Sequence, residues 1–356
     1  MFATQLQVSI LDVPLLAPFG IATGAQHIAH NVLVALRTDD GICGYGEAAP
    51  VAHISGETQS AVIATLPTVE PLLMRHNLLN YRPLCAELAE ALAHVPSALA
   101  AVEMAIFDAI CKRFKTNLLQ LFGAAETTLT TDITIVTGTD LESAQSARRY
   151  ASDGFGRLKV KVGGTPLEQD IRRLTAICDA APQAELILDG NTAFSAAEAL
   201  ALLEALGPNK SRVILFEQPV VRDDFEGLKE VELKSKIPVA ADESLRNTAD
   251  FERLVRLGGV SAINIKTAKL GVLSAWDLLV AARRVGLKIM IGGMVETELS
   301  MTVSACLAAG IGGVSYVDLD TPLLLAERPL TGGFRQQGPL LDLGNLGFGH
   351  GVTPIN

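Results

Sequence analysis

The sequence predicts an α/β protein in which a (β/α) barrel carries a smaller α+β lobe. Three observations support this. From Leu129 onward, short apolar β-branched runs alternate with amphipathic helical stretches at a spacing of about 23–28 residues, the period of a βα unit, and about eight such runs fit. Before them, residues 1–48 read as antiparallel strands and residues 58–122 as helices. Polar residues also end most of the later runs, which is where a barrel gathers its site.

A chain of 356 residues, 49% hydrophobic and 19% charged, has material for a large core. Its net charge of −10 argues against nucleic acid and anionic membranes as partners and leaves metal cations open. The five cysteines are scattered and form no C-x-x-C pair, so they read as reduced core residues of a cytoplasmic protein. The first ten residues alternate like a strand and lack a basic stretch, so no signal peptide is expected. No apolar run reaches the roughly 18–20 residues that span a bilayer.

Taken in order, residues 6–13 and 31–37 read as strands, and Asp39-Asp40-Gly41 is a turn signal before a third strand at 42–47. Residues 17–30, rich in Gly, Ala and Thr and without periodicity, read as a loop, as do residues 49–57. Leu84, Leu88 and Leu92, then residues 98–114, carry apolar positions three and four apart, as helices do. The barrel runs are expected at 130–136, 158–162, 186–189, 213–217, 239–242, 262–266, 289–292 and 314–320. An open doubly wound sheet would normally show G-x-G-x-x-G after its first strand, and none is present there. After Asp320 the chain turns Pro- and Gly-rich and is expected to return to the first lobe.

In the run from Arg157, alternation puts Lys159 and Lys161 on one face and Leu158, Val160 and Val162 on the other. Two adjacent ammonium groups depress each other's pKa, so one can serve as a base near neutral pH. The following runs end in Asp189, Glu217 and Asp242, then Lys266. Three acids at matching positions, without histidine, make a hard oxygen site suited to Mg²⁺. Taken singly, each acid reads equally well as a helix cap. Lys161 and Lys266 end the second and sixth runs, which are opposite in a ring of eight. A substrate carboxylate on the metal would place its α-carbon between them, and a 1,1-proton transfer through an enediolate follows. Asn191 and Glu243 stand one step outside the acids and are expected to orient them. Lys269 reads as a solvated neighbour. Asp318 and Asp320 alternate on the last strand and would attract an ammonium group. Thr134 and Met294 read as pocket lining or as plain packing.

The set Lys159-x-Lys161, Asp189-Gly-Asn191, Glu217-Gln-Pro219, Asp242-Glu243-Ser244, Asn264-Ile-Lys266 and Gly292-Gly-Met-Val-Glu296 resembles the enolase superfamily, muconate-lactonising subgroup. General accounts of pKa tuning name this superfamily for its lysine base and Mg²⁺. The resemblance covers nearly the whole chain. It implies a modified TIM barrel, (β/α)7β, at 124–324, with a capping domain at 1–123 completed by 325–356. It implies Asp189, Glu217 and Asp242 as Mg²⁺ ligands, Lys161 and Lys266 as the acid/base pair, and Lys159 as a carboxylate-binding residue. Asp318-Leu-Asp320 resembles the Asp-x-Asp of dipeptide epimerases, where it holds the α-ammonium of the substrate. The resemblance therefore implies inversion at the C-terminal residue of an L,L-dipeptide, with o-succinylbenzoate synthesis and N-acylamino acid racemisation as alternatives and a non-catalytic barrel as a distant one. It also implies a homo-oligomer. In the family, the segment matching 17–30 carries side-chain determinants, and Ala-Glu epimerases place an arginine there. Here that segment has no Arg or Lys, which disfavours Ala-Glu. Phe19 and Ile21 suit an apolar side chain, although Phe19 reads equally as a packing plug. Glu57 and Glu298 read as surface acids or as partners for a cationic side chain.

Overall fold

The computed structural model describes residues 1–21 and 24–355. Eight parallel strands form one sheet in chain order: Ile133–Ile135, Arg157–Lys161, Glu185–Asp189, Val213–Glu217, Val239–Ala241, Ala262–Lys266, Lys288–Gly292 and Tyr316–Asp318. The first and last strands meet through Asp132 N, which donates to Val317 O at 2.9 Å, so the sheet is nearly closed. Helices follow the first seven strands, and a 3₁₀ turn, Thr321–Leu324, follows the eighth. The helix starts are written locally. Thr139 with Glu142 and Ser195 with Glu198 form reciprocal capping boxes, and Asn247 caps onto Asp250 N.

Alternation sorts the strand residues as expected. Leu158, Val160, Val162, Leu186, Leu188, Ile263, Ile265, Ile289 and Ile291 face the helices in the main core. Inside the barrel, Ile187, Leu215, Ala240, Ala262, Met290 and Tyr316 pack into a plug. Lys159 pairs in register with Ile187, and Lys161 with Asp189, so the lysines rise from that plug toward the C-terminal mouth.

Strands Ala3–Ile21, Gly24–Thr38 and Cys43–Ala48 make a separate antiparallel sheet, on which helix Pro96–Arg113 lies. Glycine permits the approach: a Cβ on Gly44 would sit 2.0 Å from Ala105 O, and one on Gly46 1.9 Å from Ala101 O.

Two expectations are corrected. Residues 17–30 are not a loop. The first two strands continue as a hairpin arm with Phe19 paired to Gln26, Gly20 to Ala25 and Ile21 to Gly24, after a register shift between Pro14 and Phe19. Ala22 and Thr23 of that segment lie outside the described residues. Backbone pairing needs no side-chain alternation where neither face is fully packed, so the arm carries no strand signature. The expected run 130–136 also divides, because Thr128–Thr130 pairs with Leu340–Asp342 in another sheet. Past the barrel, residues near the C-terminus contact the first 123 residues. Leu118 N donates to Gly349 O at 2.8 Å, and His350 N donates to Asp108 Oδ1 at 3.1 Å. Among the described residues, no helix is long and apolar enough to cross a membrane.

Candidate active site

A pocket opens at the C-terminal mouth of the barrel, beneath the hairpin arm. Ten of the residues singled out above line it: Thr134, Lys159, Lys161, Asn191, Asp242, Glu243, Lys266, Met294, Asp318 and Asp320. Asp189 and Glu217 lie just below, fully buried. Phe19, Ile21, Val51 and Ile54 close the pocket from the lobe side.

Lys159 is the hub. Its Nζ lies 3.1 Å from Asp189 Oδ2, 2.7 Å from Glu217 Oε2 and 2.6 Å from Asp318 Oδ2. Burial opposes its charge, but those carboxylates outweigh burial and hold its pKa well above the usual lysine value. It is a fixed cation. Lys161 Nζ lies 2.6 Å from Asp189 Oδ2 and 5.8 Å from the Phe19 ring centre. At the end of the sixth strand, Lys266 Nζ lies 2.7 Å from Asp242 Oδ2. Burial alone would lower the Lys266 pKa, yet Asp242 and Glu217 raise it. Asp189 is surrounded by Lys159, Lys161 and Lys266, which overcome its burial and hold it below the usual carboxylate range. Glu217 goes the other way: burial and the nearby charges of Asp189 and Asp242 push it up to about 8.

The strand ends are braced. Gln218 has φ of 35° and turns the chain sharply after Glu217, and its Oε1 accepts from Asp242 N at 2.9 Å. Its side chain thereby ties the ends of the fourth and fifth strands together. Asn191 N donates to Asp189 Oδ1 at 3.1 Å, and its Nδ2 donates to Glu243 Oε1 at 3.3 Å. Asn264 Nδ2 donates to Glu217 Oε1 at 2.6 Å, a role that the strand-end reading did not assign. Just beyond the last strand, Asp320 Oδ2 accepts from Thr134 N at 2.6 Å.

Lys269 is not a solvated neighbour. Its side chain is 12% exposed, and its ammonium donates to Asp242 O at 2.7 Å and contacts Asp242 Oδ1. The short helix Thr267–Leu270 turns it back to the fifth strand, which strand alternation does not reveal. Glu57 and Glu298 are not surface acids either. Glu57 accepts from Ser97 N and Oγ at the start of helix Pro96–Arg113, and Glu298 lies 3.3 Å from Arg328.

The donor chemistry fits Mg²⁺: three buried carboxylates from consecutive strand ends, with Glu217 raised by burial and by the charges of Asp189 and Asp242, a repulsion that a divalent cation among them would relieve. Ammonium groups contact these acids: Lys159 bridges Asp189 and Glu217, while Lys266 and Lys269 hold Asp242. Among the described residues, the acidic triplet whose oxygens all lie within 4.8 Å of one another is instead Asp132, Asp318 and Asp320.

Comparison with known proteins gives a consistent picture. Residues 5–123 match the family described as "Mandelate racemase / muconate lactonizing enzyme, N-terminal domain", and residues 142–355 match "Enolase C-terminal domain-like". The chain is 42% identical over 348 residues to an aromatic dipeptide epimerase of Herpetosiphon aurantiacus, covering 98% of each. It is 39% identical to an L-Ala-D/L-amino acid epimerase of Populus trichocarpa, covering 95% of this chain and 82% of that one. A dipeptide epimerase from Enterococcus faecalis, solved with Mg and the dipeptide L-Leu-L-Tyr, superimposes with a TM-score of 0.94 at 34% identity, covering 99% of this chain and 100% of that one.

Proposed function

The chain belongs to the mandelate racemase/muconate lactonizing enzyme branch of the enolase superfamily, and from that premise we propose that it is a Mg²⁺-dependent dipeptide epimerase. The observation that carries this reading is the pocket's charge layout. Lys161 on the second strand and Lys266 on the sixth, opposite in strand order, both line it, together with Asp318 at the end of the last strand and Asp320 just beyond it.

The chain's own residues divide the work. Lys159, held cationic, binds the substrate carboxylate. Asp318 and Asp320 receive the α-ammonium, which orients the dipeptide so that the C-terminal residue's α-carbon lies between Lys161 and Lys266. One of these lysines removes the α-proton, and the other delivers a proton to the opposite face. Held by Asp189, Glu217 and Asp242, Mg²⁺ would stabilise negative charge on the substrate carboxylate as the α-proton leaves.

The substrate's C-terminal side chain is apolar or aromatic in this reading. Phe19, Ile21, Val51, Ile54 and Met294 are the apolar walls available to it. His53, also at the pocket, is lowered in pKa by burial and stays neutral, so it offers no charge to a distal carboxylate. The named preference of the Herpetosiphon relative agrees. The five free cysteines fit a cytoplasmic setting.

The test is a library of L,L-dipeptides incubated with enzyme and Mg²⁺ in D₂O and read by mass spectrometry for deuterium at the α-carbon. Exchange into dipeptides with apolar or aromatic C-terminal residues, abolished by a chelator, is expected. Exchange confined to N-acylated amino acids would overturn the dipeptide assignment.

A further inference from the structure

Asp132 precedes the first barrel strand and is fully buried, and neither of its carboxyl oxygens has a hydrogen-bond partner. An unpaired buried carboxylate is costly. Its surroundings make ionisation worse. Oxygens of Asp132, Asp318 and Asp320 lie within 4.8 Å of one another, and Glu217 adds a further negative charge from the fourth strand. The cation facing it is Lys159, whose Nζ already contacts Asp189, Glu217 and Asp318 at 2.6–3.1 Å. Of these contacts the one to Asp318 Oδ2 has hydrogen-bond geometry, and none of the three is to Asp132.

We propose that Asp132 is held as a neutral carboxylic acid and acts as a positioning residue for the Asp318–Asp320 pair, offering that pair a proton from below while adding no third negative charge. Burial and the charges of Asp318 and Asp320 push its pKa well above the usual carboxylate value, in the same direction. The pair is otherwise tethered from other sides, Asp318 by Lys159 and Asp320 by Thr134 N. A donor beneath it would restrain the carboxylates in the orientation that meets the substrate ammonium. This role rests on the reading of Asp318 and Asp320 as the ammonium site.

Two arms test it. The first is infrared spectroscopy of full-length enzyme at neutral pH, wild type minus Asp132→Asn. A carboxylic-acid C=O band present in the wild type and lost in the variant is expected, and its absence would overturn the proposal whatever the substrate proves to be. The second arm compares Asp132→Asn and Asp132→Leu with folding checked by circular dichroism. The amide can still donate, so Asp132→Asn should keep the dipeptide KM within about threefold of wild type, whereas Asp132→Leu should raise it by about tenfold or more with a smaller change in kcat. An Asp132→Asn KM raised as far as that of Asp132→Leu would show that the charge matters, as in a cation ligand, and would overturn the neutral-acid role. Should Asp132→Leu fail to fold, the band and the Asp132→Asn value decide. Wild-type enzyme that turns over no dipeptide would sink the functional reading and leave the infrared arm to judge the proton.

Discussion

Replacing Asp318 by asparagine removes one negative charge from the wall assigned to the substrate ammonium and changes little else in shape. The residue is 6% exposed, and its Oδ2 lies 2.6 Å from Lys159 Nζ. Lys159 would keep Asp189 at 3.1 Å and Glu217 at 2.7 Å, so the hub stays paired. What is lost is a buried charge-assisted hydrogen bond to the ligand, worth about 1.5–3 kcal/mol, or roughly a 10–150-fold rise in KM. An N-acetylated dipeptide has no ammonium and should not suffer this penalty. The assay is chiral chromatography of product formed from a free dipeptide and from its N-acetyl derivative, with kcat and KM determined for both. A KM rise restricted to the free dipeptide is expected. Equal losses on both substrates would refute the ammonium assignment and leave Asp318 as a structural partner of Lys159.

Two further predictions concern residues around the site. Lys269→Met frees one side of Asp242 and is expected to raise the Mg²⁺ concentration for half-maximal activity by roughly 10–100-fold; an unchanged Mg²⁺ titration would reduce Lys269 to an ordinary ion-pair partner. Glu103, buried in helix Pro96–Arg113, accepts from Leu273 N at 2.9 Å, and burial pushes it from 4.5 up to about 7. A raised carboxyl pKa favours folding fully below the unfolded value and loses that contribution as pH rises through the folded value. Urea unfolding of the wild type should therefore lose up to about 3 kcal/mol between pH 4.5 and 8 that Glu103→Gln retains, and parallel pH profiles for the two proteins would contradict this.

The polar strand ends were legible because each βα unit repeats one grammar: an apolar run buried on its helix side, then a polar residue at or just past its C-terminal end. Lys161, Asp189, Glu217, Asp242 and Lys266 all stand at that junction, and register places Lys161 beside Asp189 and Asp189 beside Glu217. What alternation cannot carry is contact made after the chain has turned. Lys269 reaches Asp242 because a short helix folds it back. Asn264 was visible beside Lys266, but its hydrogen bond crosses to Glu217, 47 residues away. The place of Asp132 is hidden because the residues before it, Thr128–Thr130, belong to a different, three-stranded sheet with Arg335–Gln337 and Leu340–Asp342. The hairpin arm was hidden because Gly20, Ala25 and Gly24 pair by backbone alone.

The two-lysine geometry is tested most directly by Lys161→Ala and Lys266→Ala, each incubated in D₂O with the L,L- and the L,D-dipeptide separately. Neither variant should interconvert the two epimers, while a variant retaining one lysine should exchange the α-proton of only the epimer that faces it. Full epimerisation by either variant, or exchange from both epimers by one, would contradict a proton removed on one face and returned on the other.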